Sequence, residues 1–260
     1  MLWHKSWLES RSRFLIGLGI LMMMAAGTVV DYRSVERLLP LVRSMDASRL
    51  AADNPLARLI RQGIEVQRDY RGFVWWQWFR DNLAHTWTLF AVLLGSGGLL
   101  PQGSGGETLF TLSLPVSRNR LIGVRTATNL AELFVLAIGP SLVIPALSPT
   151  IGQQYAIADV AVHGLCLFVS GAAFFSLAIL LSTVFGDLWR PLLITCAVAV
   201  ALAMAEFTAR QAWPYGPFSL MSGEAYLTAH TIPWAGLLAS ATVAAAILYA
   251  AARNFAIADF

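Results

Sequence analysis

Long apolar runs alternate along this chain with shorter polar stretches, and the alternation predicts a bundle of helices. Six runs stand out: 14–30, 83–100, 121–147, 156–181, 191–209 and 234–252. Each is close to the roughly 20 residues that cross a hydrocarbon core about 30 Å thick. Backbone at bilayer depth must satisfy its own hydrogen bonds, so the expected class is all-α: a polytopic membrane protein with six transmembrane helices.

The polar stretches carry patterns of their own. Residues 1–13 set Lys5, Arg11 and Arg13 among Trp3, Trp7 and Leu8, which predicts an N-terminal interfacial helix ahead of the first span. Residues 31–81 hold nine Arg and seven acids of finely mixed sign, and read as a subdomain between the first two spans. Within it, Asn54 and Pro55 form a helix start, followed by Leu56, Leu59, Ile60 and Ile64 at helical spacing. The run WWQWF at 75–79 reads as an aromatic belt at the membrane surface, and 211–233, with Trp213, Pro214, Tyr215 and Pro217, as an interfacial loop.

Some spans carry polar side chains. Arg125, Asn129 and Glu132 are spaced by four and three, so they share one helical face, and that face is expected to point into protein. Two roles fit it: holding the bundle together, or lining a substrate path. His163 has the same two readings, packing with an interhelix hydrogen bond or a place on a path. Glu206, near the end of the fifth span, reads either as a side chain reaching back to the interface or as a path residue. Pro140 and Pro145 predict a bend late in the third span.

Composition agrees with a membrane protein: 57% of the 260 residues are hydrophobic and 13% charged, against about 25% charged in a soluble domain. The net charge of +3 is spread along the chain rather than gathered into a patch, which argues against a nucleic-acid partner. Cys166 and Cys196 fall inside apolar runs and imply neither a disulfide framework nor a thiolate metal site. HExxH, GxSxG and GxxxxGK[ST] motifs are absent, and the four His, at 4, 85, 163 and 230, are scattered. No catalytic or metal-binding residues are therefore expected, and the chain has no ATPase motif of its own. Positive charge is too evenly divided between the two sets of loops to orient the bundle.

One stretch is more specific. Between the second and third runs, residues 106–125 read GETLFTLSLPVSRNRLIGVR, with apolar Leu109, Phe110, Leu112 and Leu114 before Pro115 and a basic run. This segment, above all Leu112 to Arg118, resembles the SLPVSR signature that precedes the third helix of ABC-2 type transporter permeases. The resemblance implies a permease subunit of a bacterial inner-membrane exporter, with cytoplasmic termini and no cofactor of its own. ATP and Mg would be bound by a separate ABC ATPase subunit. Glu107, Leu109, Phe110, Leu112, Leu114, Pro115, Arg118 and Arg120 would couple to that subunit, and residues 3–13 would correspond to the elbow helix. A second permease subunit, identical or related, would complete the transporter within the membrane lipid. The 31–81 segment is longer than such a family needs and admits a periplasmic or surface partner. A reading of another class stays open beside it: a membrane scaffold or assembly factor holding an external partner through 31–81, without transport. A third, an intramembrane enzyme using Glu132, His163 and Glu206, lacks any spacing that pairs two of them.

Overall fold

The computed structural model describes residues 2–44, 63, 65–67, 69–96, 118–209 and 216–257. These are helical almost throughout, and no strand occurs among them. Helix α1 runs unbroken from Leu2 to Ser44. A continuous helical run then comprises α2 (Tyr70–Val74), a nine-residue π-helix (Trp75–Leu83) and α3 (Ala84–Ser96). Helix α4 (Arg118–Ile138) is followed by 3₁₀ turns at Pro140–Leu142 and Ser148–Ile151 flanking a short α5 (Val143–Leu147). The chain continues through α6 (Ile157–Val184), α7 (Trp189–Thr208), the short α8 (Pro217–Ser222) and α9 (Glu224–Ala229), and α10 (Trp234–Ile257).

Five helices among the described residues are long and apolar enough to cross a bilayer: Trp3–Arg37, Ile122–Ile151, Ile157–Val184, Trp189–Thr208 and Trp234–Ile257. The expected count of six is thus corrected to five. The missing one is the run expected at 83–100, where α3 has only 13 described residues, about 20 Å at 1.5 Å per residue. Its lead-in is π-helical, with Trp75, Trp78, Phe79 and Leu83 buried. This helical run is nonetheless the middle of the bundle, packed against α6, α1, α4 and α7. Trp75, Trp78, Phe79, Leu83, Trp87 and Leu94 make up much of the core.

Two further expectations change. Residues 2–13 do not lie apart as an interfacial helix, because nothing between Leu2 and Pro40 interrupts the hydrogen-bonded ladder and α1 continues straight through Arg13. The WWQWF run is not a surface belt: Trp75, Trp78 and Phe79 are almost wholly buried. Of the 31–81 segment, 31–44 continue α1 and 70–81 open the central run; the helix expected from Asn54 lies outside the described residues. The bend expected at Pro140 is present, as α4 gives way to the 3₁₀ turn there.

Candidate functional site

Hydrogen bonds and ion pairs between helices form two layers near the ends of the bundle. On α1, Arg13 donates to the Leu93 carbonyl at 3.1 Å and Arg33 to the Thr150 carbonyl at 2.6 Å. Twenty residues separate them, roughly 30 Å of helix rise, which matches a hydrocarbon core. The two polar layers are therefore about one bilayer apart.

The first layer joins α1, α3 and α4. Asn129 donates to the Leu94 carbonyl at 3.0 Å, Glu132 is hydrogen-bonded to the Ser10 hydroxyl at 2.6 Å, and Arg125 pairs with Glu9 at 3.5 Å. Trp87 on α3 adds a bond from its indole to the Leu133 carbonyl at 3.0 Å. The Arg125, Asn129, Glu132 face points into protein, with Asn129 and Glu132 buried. Near the same end, Asn254 of α10 donates to the Thr183 hydroxyl of α6 at 2.9 Å. Arg118 and Arg120 open α4, and Arg120 is exposed. Glu107, Leu109, Phe110, Leu112, Leu114 and Pro115 lie outside the described residues.

The second layer is denser. Arg71, at the head of the central run, forms a bidentate pair with Asp159 in the first turn of α6, at 2.7 and 3.3 Å. The Tyr226 hydroxyl donates to the same carboxylate at 3.1 Å, and the Arg71 guanidinium lies over the Tyr226 ring. One turn on from Asp159, His163 is fully buried, stacked on Phe79, and bonded through Nδ1 to the Ser222 carbonyl at 2.9 Å. Because a carbonyl can only accept, Nδ1 carries the proton. The Trp75 indole donates to that carbonyl too, at 2.8 Å, so both its lone pairs are used. Gly223 has φ +68°, and a Cβ there would stand 2.6 Å from His163 Nδ1. Glycine is needed at this position on both counts.

Glu206 grips the other end of α8, its carboxylate accepting from the backbone N–H groups of Phe218 and Ser219 at 2.8 and 2.7 Å. Two N–H groups without helical partners at a helix start are good partners for a carboxylate. Within the described part of 211–233, Leu220, Met221 and Ser222 are buried against the bundle, whereas Thr228, Ala229 and His230 are exposed. Burial raises the proton affinity of the Tyr155 phenol, and the charge of Asp159 adds to the effect. For Tyr226 burial again comes first, followed by the hydrogen bond to Asp159 and its charge.

Glu132 bonds in the first layer, whereas His163 and Glu206 hold opposite ends of α8 in the second. The three do not form one constellation. Among the described residues no group of three His, Cys, Asp or Glu could hold a metal ion. Sequence reasoning gave no role in these layers to Ser10 and Arg13 in the first or to Arg71, Trp75, Asp159, Ser222 and Tyr226 in the second. Only Asp159 left a signal, lying four residues from His163 on one face of an apolar helix. Every described contact in the two layers ties one helix to another, and this arrangement suits a bundle whose helices move as coupled bodies. No protein-family model, no curated protein and no solved structure matches this chain.

Proposed function

We propose that this chain is the membrane subunit of an ABC-2-type exporter, driven by a separate ATPase that docks on the segment before α4. The observation that carries the reading is the LSLPVSR stretch, Leu112 to Arg118, ending where α4 begins. A force applied there would pass along α4 to α1 and α3 through Arg125–Glu9, Glu132–Ser10 and Asn129–Leu94. In this reading the central run 70–96 makes a further, protein-enclosed crossing beside the five apolar helices. The termini and the 101–120 segment then share the cytoplasmic side, and two permease copies act with two ATPase subunits.

The test is copurification from the native membrane with an ABC ATPase. The expected result is that the wild-type chain brings the ATPase down, and that Leu109→Glu with Phe110→Glu abolishes the association while the chain still inserts. Hydrolysis by the complex should change on reconstitution into vesicles. Absence of any ATPase with the wild-type chain would overturn the permease reading. Association without an effect on hydrolysis would favour the scaffold.

A further inference from the structure

Among the described residues, Glu132 is the buried carboxyl that the contacts between helices leave least satisfied. It is 5% exposed, its Oε1 lies 2.6 Å from Ser10 Oγ, and its Oε2 is buried with no hydrogen-bond partner. The charged groups of the neighbouring helices are directed elsewhere. On α1, Arg13 donates to the Leu93 carbonyl and Glu9 pairs with Arg125, the nearest charge on α4 itself. The one titratable group on α3, His85, is bonded to the Asp81 carbonyl. On α6, Asp159 and His163 belong to the opposite layer, and Arg253 of α10 is exposed.

Counting protons between Ser10 and Glu132 separates two states. Ser10 has a single hydroxyl proton, and its oxygen lies 3.1 Å from the Ser6 carbonyl as well as 2.6 Å from Glu132. If Glu132 is a carboxylate, Ser10 must donate to it. A full charge then stays buried with one hydrogen bond and no cation, which is costly. If Glu132 is a carboxylic acid, its O–H donates to Ser10 Oγ and Ser10 donates to the Ser6 carbonyl. The only unpaired atom is then a neutral carbonyl oxygen.

We propose that Glu132 is a proton-binding site, a neutral carboxylic acid that clasps α4 to α1 through Ser10. Parting of the two helices admits water to the carboxyl. Its O–H bond breaks, the proton passes to water, and the carboxylate left behind is hydrated. Reclosure takes a proton back, so each opening of this contact exchanges one proton with the aqueous phase. The proposal goes beyond the permease reading and needs no ATPase to test.

Infrared difference spectroscopy tests it on the full chain in phosphatidylcholine vesicles, titrated from acid to alkaline pH. At neutral pH the wild type should show a protonated-carboxyl C=O band that is lost in Glu132→Gln and shifted in Ser10→Ala, which removes the acceptor. Glu132→Gln, a neutral mimic of the acid, should melt within a few degrees of wild type. Should that variant fail to insert, the Ser10→Ala band shift decides. A neutral-pH spectrum in which Glu132→Gln removes a carboxylate band, or a carboxyl band unmoved in Ser10→Ala, would overturn the proposal.

Discussion

At the scale of single residues, the second polar layer depends on a few atoms with fixed partners. Asp159 serves Arg71 and Tyr226 at once, and the pair is mostly shielded, with side chains 10% and 29% exposed. Asp159→Asn would keep an acceptor for Tyr226 and leave the guanidinium without its counter-charge. The expected loss is about 2 kcal/mol, below the range for a fully buried pair because Arg71 keeps some contact with solvent. A lowered thermal midpoint in detergent checks it, with Arg33→Gln, at an exposed contact, as a near-neutral control. Such residues were unevenly legible. The inward face of Arg125, Asn129 and Glu132 followed from helical spacing and the cost of charge in lipid. Arg71 was hidden among the nine arginines of 31–81, because its partner is 88 positions away. The capping role of Glu206 was not legible, because the N–H groups that it accepts from lie 12 and 13 positions further on.

At the scale of elements, sequence pattern located the apolar helices well and their junctions poorly. An aromatic run beside a span looks the same whether it faces lipid headgroups or protein. What buries Trp75 and Trp78 is the pair of acceptors they find, the Ser222 carbonyl and the Ser141 hydroxyl, at separations of 147 and 63 residues. The π-helical winding falls on this stretch, and such winding is rare outside sites under special constraint. The N-terminus shows the converse error. Its amphipathic composition suggested a helix lying flat, yet Arg13 is held by the Leu93 carbonyl and Ser10 by Glu132, so the same helix passes straight between the two layers. Spin labels at Lys5 and Arg33, 28 residues apart on α1, should therefore lie about 42 Å apart at 1.5 Å per residue. Pulsed dipolar spectroscopy would measure it. A helix turned into the membrane plane near Arg13 would give a distinctly shorter value, near 30 Å by the same rise.

At the scale of the whole molecule, the number of crossings decides where everything else faces. Length and hydropathy alone give five helices, which would put the two ends of the chain on opposite sides. The central run does not qualify by those criteria, but its two ends reach different polar layers. Tyr70 is bonded to Ser148 and Arg71 to Asp159 at one end, while Leu93 and Leu94 accept from Arg13 and Asn129 at the other. A helix enclosed by protein need not be apolar along its whole length, since its neighbours rather than lipid supply its partners. In the proposed permease reading it crosses beside the five, and the count that governs sidedness is even. Single cysteines at Lys5 and Ile257, in a background with Cys166 and Cys196 replaced by Ser, should react with a membrane-impermeant maleimide from the same side. A cysteine at Gln153, next to the second layer, should react from the other. If Lys5 and Ile257 label from opposite sides, the central run does not cross, and the shared side that the proposed permease reading requires is lost with it.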